Sequence, residues 1–289
     1  MNNRRLLLVD GTQLFYRSFF GIKSLSTHDG VPSNAVFGFV RGIHQLIETK
    51  FPSHLVVVWD GGIPAARRDL LPEYKAQRPP MPEALRGQYP FIVEFLASAQ
   101  IPLIRMEQEE ADDILASLVR WAELEADEVI VATCDKDLYQ MVSGKTGIVG
   151  WGKEDQPAGR HEVFEKTGVY PEQIIDWLAL TGDAVDNISG VDGIGSKTAA
   201  KLLAKFKSVN GIYRDIDVVQ PDRIRERLLM SRQKVERNLA LVSLNTSINC
   251  SPGWESMTVC HENPDRMRPF YTRMEFHSLI RGCDQGELF

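Results

Sequence analysis

Short apolar runs alternate with longer amphipathic segments through the first half of the chain, and this alternation constrains the fold more than any other feature. The segments between the runs carry apolar residues at helical spacing, as in the stretch after Ser33. Strands that alternate with helices are typical of a parallel sheet with helices packed on its faces. The sequence therefore predicts an α/β domain, with Ser33 as the N-cap of one helix. The apolar runs lie at residues 6–9, 55–59, 101–104 and 129–133.

Composition narrows the class of protein. The chain has 289 residues, of which 43% are hydrophobic, and this argues against wholesale disorder. Its four cysteines lack C-x-x-C spacing, so they indicate a reducing compartment and neither a zinc site nor a disulfide framework. No apolar run has the length of a signal peptide or of a membrane span. We therefore expect a soluble, cytoplasmic monomer with no membrane partner.

Two stretches interrupt the α/β pattern. Residues 61–80 have little apolar periodicity and are basic, and the chain beyond them later becomes helical around a glycine-rich hairpin. We predict an α/β core over residues 1–170 that includes this basic excursion. A helical subdomain over residues 171–289 would contain a helix-hairpin-helix at about 188–207. Residues after Asn249 give no clear signal.

Three carboxylates lie where apolar runs end. Asp10 and Asp60 directly follow their runs, and Asp135 comes within two residues of one. A lone Asp in such a place can start a turn or cap a helix. In an open parallel sheet, however, ligands bind outside the carboxyl ends of the strands. If the strands are neighbours, all three carboxylates are expected to point into one crevice.

Further acids occur at matching places along the chain. Acids at a helix N-terminus can offset the helix dipole, but the four in residues 109–113 repel one another more than a dipole can offset. Asp183 and Asp186 are expected to share one face of a helix, because they are three residues apart. Oxygen ligands without His or Cys favour Mg²⁺ or Mn²⁺ over zinc, and two such ions suit phosphoryl transfer. These acids are Glu109, Glu110, Asp112, Asp113, Asp137, Asp183 and Asp186.

The basic excursion can be a solvated surface loop or a phosphate clamp. The formal net charge of −6 decides nothing, because a sum over acids and bases hides a local basic patch. An acidic crevice alone would repel a polyanion. We therefore assign Lys75 and Arg78 to the scissile phosphate, and Tyr74 to stacking on an unpaired base.

The glycine-rich hairpin predicts a contact to duplex DNA. Backbone N–H groups of residues 193–197, at a helix N-terminus, form a nest for a backbone phosphate. Lys205 extends the same helical face by one more turn. A purely structural turn is the alternative, whereas a Rossmann fingerprint lacks its third glycine and a P-loop lacks its glycine spacing. The candidate DNA-binding residues are Gly193, Gly195, Ser196, Lys197, Thr198 and Lys201.

Seven stretches of the chain, within residues 5–205, carry a family resemblance. With them the chain resembles the 5′ nuclease domain of bacterial DNA polymerase I and its stand-alone flap endonuclease relatives. The stretch EFHSLIRG near the end also resembles the close of that domain. The seven stretches are LLLVDGTQLFYRSFF, VPSNAVFGF, VVVWDG, YKAQRPPMPEAL, EEADDILASL, TCDKDLYQMV and LTGDAVDNISGVDGIGSKTAAKLL.

The resemblance implies a PIN-like, Rossmann-like nuclease core, a helix-three-turn-helix subdomain, and a C-terminal return to the core. It also implies a helical arch at the basic excursion, in which Lys75 and Arg78 match catalytic-site cations. Arg17 matches a basic residue near the scissile phosphate, and in relatives the hairpin also holds K⁺. Glu109 falls outside the family pattern. The implied metal ligands are Asp10, Asp60, Glu110 and Asp112 at one site, Asp135, Asp137, Asp183 and Asp186 at another, and Asp113 between them.

The sequence thus predicts a Mg²⁺- or Mn²⁺-dependent 5′–3′ exonuclease or flap endonuclease that hydrolyses DNA at a single-strand/duplex junction in replication or repair. RNA–DNA primers are a further candidate substrate. Since the chain stops at Phe289 without a polymerase domain, a polymerase or a sliding clamp is a candidate partner.

Three alternatives remain. The duplex-binding hairpin disfavours a PIN-type ribonuclease, and nine matching acids disfavour a non-catalytic DNA-binding protein. Thr12, in place of a second Asp, disfavours a D-x-D-x-T phosphatase.

Overall fold

The computed structural model describes residues 4–152, 156–260 and 263–285. The ends of the two predicted domains, residues 1–3 and 286–289, lie outside this part of the chain. A five-stranded parallel sheet forms the centre, in the order β3-β2-β1-β4-β5. Its strands are β1 (Arg5–Asp10), β2 (His54–Trp59), β3 (Leu103–Arg105), β4 (Glu128–Ala132) and β5 (Thr146–Val149).

The parallel sheet confirms the predicted fold class, and each of the four apolar runs forms a strand. In the central strand β1, Leu6 and Leu8 pack on one face of the sheet, and Leu7 and Val9 on the other. All four are fully buried, as expected for a strand covered on both faces. The strand β5 was not predicted, because Gly147 interrupts a very short apolar run.

Fourteen α-helices, within the residues described, pack on the sheet and build the second half of the molecule. None of them is long and apolar enough to cross a membrane. They are α1 (Gly11–Gly21), α2 (Asn34–Lys50), α3 (Ala65–Leu70), α4 (Glu83–Arg86), α5 (Tyr89–Ser98), α6 (Ala111–Ala122), α7 (Arg160–Thr167), α8 (Ile174–Thr181), α9 (Ser196–Phe206), α10 (Val209–Arg214), α11 (Asp222–Met230), α12 (Arg232–Val242), α13 (Pro264–Arg273) and α14 (His277–Gln285).

One face of the sheet is covered by α1, α2, α5 and α13. Each helix contributes a buried aromatic ring to one cluster: Phe15, Phe39, Phe95 and Phe270. Burying a ring of this size contributes about 1.5–3 kcal/mol. The C-terminal helix α13 is therefore part of the core of the first half.

The opposite face is covered by α6, and its core continues into the helical second half. Ile114 and Leu118 of α6 belong to the same buried cluster as Leu178 of α8, Leu203 of α9 and Leu241 of α12. Because this apolar cluster is continuous, the helical half is held against the sheet rather than joined to it by a loop alone.

The start of α2 departs from the expected cap. Ser33 stands at the N-cap, but its buried hydroxyl has no hydrogen-bond partner. The carboxamide of Gln88 accepts the first N–H groups instead, from Ala35 at 2.9 Å and Val36 at 3.3 Å. Gln88 lies in the short break between α4 and α5.

A two-stranded antiparallel hairpin follows α8, formed by β6 (Gly182–Asp183) and β7 (Ile188–Ser189). The prediction that Asp183 and Asp186 share a helical face is therefore wrong. Gly182 has φ +74°, and a Cβ there would lie 2.4 Å from the backbone nitrogen of Gly190. This close approach of two chain segments ends α8 and starts the hairpin.

The basic excursion, residues 61–80, contains one helix, α3, followed by a series of turns. It packs on the hairpin that follows α8. The Lys75 N–H donates to the Asp186 carbonyl at 3.1 Å, and the Asn187 side chain donates to the Glu73 carbonyl at 2.9 Å. These bonds hold the excursion over the carboxyl end of the sheet.

Candidate active site

The strand order brings three predicted carboxylates to one edge of the sheet. β1 lies between β2 and β4, so Asp10, Asp60 and Asp135 meet at the carboxyl ends of adjacent strands. They line a cleft of about 740 Å³ together with Asp112, from the first turn of α6. Lys75 and Arg78 line the same cleft from the basic excursion.

Short hydrogen bonds fix the strand-end carboxylates in place. Asp10 accepts from the backbone N–H of Gln13 at 2.9 Å and from the hydroxyl of Thr133 at 3.1 Å. Asp60 accepts from the N–H of Gly62 at 3.0 Å, and its own N–H donates to Thr12 at 2.9 Å. These contacts orient the side chains before any ligand binds.

Burial and mutual repulsion disfavour the charged forms of the carboxylates in and beside the cleft. Burial raises the pKa of Asp10 to about 6, and the charges of Asp135 and Asp60 add to the effect. Burial raises the pKa of Asp137 to about 8, again with a contribution from Asp135. Burial, with the charges of Asp135 and Asp10, also raises the pKa of Asp112 well above its ordinary value. A cation among these groups would stabilise their charged forms.

Two of the predicted ligands are already paired with lysine. The Lys75 ammonium donates to Glu110, and both side chains are buried. The Lys136 ammonium donates to Asp183, and its aliphatic chain is partly exposed. Lys136 was not predicted as a site residue, although its position between Asp135 and Asp137 indicates a local counter-charge.

Asp186 is paired as well. The Arg78 guanidinium donates to it at 2.6 Å, and the Tyr74 hydroxyl donates at 3.0 Å. The Lys75 nitrogen lies 3.5 Å away. The basic excursion therefore brings Lys75 and Arg78 to the acidic cleft, as the sequence analysis expected.

The structure corrects the role expected of Tyr74. The side chain is only 5% exposed, and its hydroxyl lies between Glu110 and Asp186. Burial raises the pKa of Tyr74 far above its ordinary range, so the hydroxyl stays protonated as a donor. A ring in this place cannot stack on a base without leaving its pocket.

The structure also corrects the position of Asp113, which does not line the cleft. Arg67 binds its two oxygens at 2.6 and 2.8 Å, and the N–H of Asn245 donates at 2.8 Å. Asp113 is thus a buried ion-pair partner, because its side chain points from α6 toward the end of α12. Glu110, which Arg67 also binds, lies outside the cleft lining as well, so the place of Asp113 between two ion positions stays a prediction.

Arg67 was missed as a functional residue. Its buried guanidinium also donates to Glu110 and to the backbone carbonyls of Leu241 and Ser243. It therefore links α3, the acidic end of α6 and the end of α12. Within a basic excursion, nothing in the sequence separates this buried arginine from its exposed neighbour Arg68.

The donors of the cleft fit a hard divalent cation, although they are not yet gathered around one point. Within residues 4–152, 156–260 and 263–285, no three His, Cys, Asp or Glu side chains form a ready metal site. Glu110 is turned toward Lys75 and Asp183 toward Lys136, and this keeps the carboxylates apart. Asp137 nevertheless has a buried oxygen without a hydrogen-bond partner. Oxygen donors of this kind suit Mg²⁺ or Mn²⁺.

Arg17 lies outside the carboxylate cleft. It is exposed on α1 and lines a separate cleft of about 660 Å³ with Arg41 of α2 and Trp151. In the next turn back along α1, Gln13 and Tyr16 do line the carboxylate cleft. Arg17 is therefore on the same helix as residues that line the carboxylate cleft, but it does not line that cleft itself.

The predicted hairpin nest lies at the start of α9. Gly193 is exposed and has φ +71°, and Gly195 is the N-cap. The Thr198 N–H already donates to the Gly195 carbonyl at 3.0 Å, so it is not part of the nest. The exposed side chains here are those of Ser196, Lys197, Lys201 and Lys205.

Comparisons with known proteins agree on one family. Residues 5–168 match the family model "5′-3′ exonuclease, N-terminal resolvase-like domain", and residues 169–265 match "5′-3′ exonuclease, C-terminal SAM fold". A 5′-3′ exonuclease of Aquifex aeolicus is 34% identical over 98% of this chain and 96% of that protein. DNA polymerase I of Bacillus subtilis is 40% identical over 98% of this chain, which spans 33% of the polymerase.

The fold also matches a solved structure. The flap endonuclease of bacteriophage T5, in a pseudo-enzyme-product complex with DNA and metal ions, superposes with a TM-score of 0.69. It is 27% identical, and the match covers 84% of this chain and 90% of that one.

Proposed function

The chain belongs to the 5′–3′ exonuclease family of phosphodiester-hydrolysing nucleases, and from that premise we propose that it cuts DNA at 5′ ends or at flap junctions with divalent cations. One observation carries the proposal. Asp10, Asp60, Asp112 and Asp135 line one cleft at the carboxyl end of the sheet, beside Lys75. The relative from bacteriophage T5, which binds DNA and metal ions, supports the same activity here.

We assign the divalent cations, Mg²⁺ or Mn²⁺, to two groups of carboxylates. When bound, such ions supply an activated water and neutralise charge on the leaving oxygen. The bonds from Gln13 and Thr133 hold Asp10 ready for this role. The proposed ligands are Asp10, Asp60, Glu110 and Asp112 for one ion, and Asp135, Asp137, Asp183 and Asp186 for the other.

Lys75 and Arg78 are the proposed catalytic cations. Both lie in the cleft and are held there by Glu110 and Asp186. With divalent cations on Glu110 and Asp186, the Lys75 ammonium and the Arg78 guanidinium would be released from these carboxylates. Lys75 and Arg78 would then donate to the scissile phosphate and stabilise its transition state.

DNA contacts outside the cleft follow from exposed basic groups. We propose that the duplex backbone contacts the start of α9, with Lys197 and Lys201, and that Arg17 contacts the strand near the cleft. This arrangement requires a single-strand/duplex junction as substrate, and an RNA–DNA primer end is a second form of it. A polymerase or clamp remains the proposed partner of a monomer. None of the four cysteines, all within the described residues, forms a disulfide, which suits the reducing cytoplasm.

The test is cleavage of a 5′-labelled flap duplex in Mg²⁺ or in EDTA. Wild type is compared with Asp135→Ala and with Glu109→Gln, a matched change in the same acidic region. We expect cutting next to the junction that needs both Mg²⁺ and Asp135 and that tolerates Glu109→Gln. Tight DNA binding without a metal-dependent product would contradict the proposal, and preferential cutting of single-stranded RNA would indicate a ribonuclease instead.

A further inference from the structure

The hairpin before α9, residues 190–195, already has protein donors on its carbonyl oxygens. Lys234 of α12 donates to the Gly190 carbonyl at 3.3 Å, and Arg227 of α11 donates to the Asp192 carbonyl at 2.8 Å. Two cationic side chains from neighbouring helices therefore satisfy carbonyl oxygens of this stretch of backbone. The family resemblance implies a bound K⁺ here, and a K⁺ on either of these carbonyl oxygens would compete with Arg227 or Lys234.

Arg227 lies directly against the hairpin. A Cβ added at Gly193 would come within 1.6 Å of the Nη1 atom of Arg227. Gly193 also has φ +71°, which other residues rarely adopt. Glycine at this position thus serves two needs: it allows the turn, and it leaves room for the guanidinium. The contact is built into the fold of the hairpin.

A monovalent cation does not fit beside this side chain. The guanidinium is always charged, so an ion on the Asp192 carbonyl would lie next to a fixed positive charge. Repulsion between two such charges about 4 Å apart weakens ion binding by roughly tenfold or more. The Gly195 carbonyl already accepts two N–H groups, from Thr198 and Ala199, and the Val191 carbonyl accepts one, from Ile194, which limits the compensation they offer.

We infer that Arg227 is the fixed cation of this hairpin and contacts a DNA backbone phosphate without help from a bound K⁺. The inference rests on the proposed DNA-binding function. A guanidinium has five N–H donors, and the Asp192 carbonyl takes one of them. Further donors can bind phosphate oxygens, as arginine does well because of its planar fork of N–H groups.

The experiment measures fluorescence anisotropy of a labelled DNA duplex in EDTA, which prevents cleavage. Binding is compared in LiCl, NaCl and KCl at equal ionic strength, because screening is then the same and only ion identity changes. The variants are Arg227→Gln, which removes the charge, and Arg227→Lys, which keeps it.

The matched control is Arg225→Gln on the same helix. Arg225 is also half-buried and donates to backbone carbonyls, but to those of Asp217 and Val219, away from the hairpin. Arg225→Gln removes the same charge and the same kind of hydrogen bond, together with a partly exposed ion pair to Asp222 at 3.0 Å. Melting temperatures of all variants show which of them fold.

We expect wild type to bind DNA equally in the three salts, within about twofold. Arg227→Gln should weaken binding by about tenfold and lower the slope of log affinity against log salt by about one, whereas Arg225→Gln should not. Arg227→Lys should stay insensitive to the identity of the salt.

Tighter binding of wild type in KCl, by fivefold or more, would overturn the inference, and the salt series gives this result even if Arg227→Gln fails to fold. Equal affinities of Arg227→Gln and Arg225→Gln would overturn it too. If wild type binds no DNA in any salt, the proposed function fails and the inference falls with it.

Discussion

At the scale of single residues, carboxylates in and beside the cleft are not satisfied by the protein alone. Asp137 is the clearest case, since it is half-buried, has one buried oxygen without a hydrogen-bond partner, and has a pKa raised to about 8. An unsatisfied buried acid destabilises the folded state and persists where a ligand or an activity requires it.

This cost predicts a stability gain in Asp137→Asn. Near neutral pH the unfolded chain ionises Asp137 readily, whereas the folded chain must protonate it or bury its charge, so the raised pKa favours unfolding. In EDTA we expect Asn to raise the free energy of unfolding by about 1–3 kcal/mol. The gain should disappear as the pH falls toward the ordinary pKa of 3.8, where both states bind the proton. Denaturant unfolding at several pH values checks this, and a loss of stability near neutral pH contradicts it.

Arg67 gives a second prediction at this scale. Arg67→Met leaves Asp113 without a buried cation and Glu110 with Lys75 alone, so we expect the free energy of unfolding to fall by about 3–5 kcal/mol. Arg68→Met removes an exposed charge next to it and should change stability by less than about 0.5 kcal/mol. Urea unfolding of the two variants measures the difference. Equal midpoints would show that the Arg67 pairs do not stabilise the fold.

The location of a site residue could be predicted from the sequence where that residue directly follows a strand. It could not be predicted where contacts to distant parts of the chain orient the side chain. Asp10 and Asp60 follow strands, so their location in the cleft could be anticipated. The places of Tyr74 and Asp113 depend on how the turns after α3 and the helix α6 orient these side chains. That choice is made by partners far along the chain, such as Asn245, which donates to Asp113.

At the scale of elements, the hairpin of β6 and β7 decides where Asp183 and Asp186 lie. The sequence indicated a helix there, because the spacing of the two acids matches a helical face as well as a turn. The positive φ of Gly182 and its contact with Gly190 favour the hairpin. Gln88 is a similar case, since it caps α2 from a distant segment and replaces the expected bond from Ser33.

The stability of the β6–β7 hairpin is sensitive to a single added methyl group at Gly182. Gly182→Ala adds a Cβ 2.4 Å from the Gly190 nitrogen and the Ile188 carbonyl at a positive φ. We expect a loss of at least about 2 kcal/mol and weaker binding of divalent cations, because Asp183 moves.

Gly144→Ala is the matched control, since a Cβ at Gly144 meets nothing within 4 Å. Thermal unfolding and Mn²⁺ titration of both variants measure the two effects. Equal melting temperatures and equal Mn²⁺ affinities of the two alanine variants would contradict this prediction.

At the scale of the whole molecule, the two halves share one apolar core. Leu118 under the sheet and Leu203 of α9 belong to the same buried cluster, and the hydrogen bonds from Arg67 to the Leu241 and Ser243 carbonyls cross between the halves. Active-site residues come from both halves, so a shared core keeps their positions fixed relative to one another.

A shared core predicts a single cooperative unfolding transition. Helical content by circular dichroism and tryptophan fluorescence should change at the same urea concentration, because neither half can unfold without exposing the apolar surface of the other. Trp177 of α8 and Trp59 of β2 place fluorophores in both halves. Two separate transitions would mean that the halves are independent domains.

The central claim is that the carboxylate cleft binds the divalent cations of a nuclease, and Mn²⁺ binding to the DNA-free protein tests it most directly. The fraction of bound Mn²⁺ follows from the loss of the free-ion signal in electron paramagnetic resonance. We predict that wild type and Glu109→Gln bind Mn²⁺ alike and that Asp112→Asn binds it more than about tenfold more weakly. Equal binding by Asp112→Asn and wild type, or no binding by either, would contradict the claim.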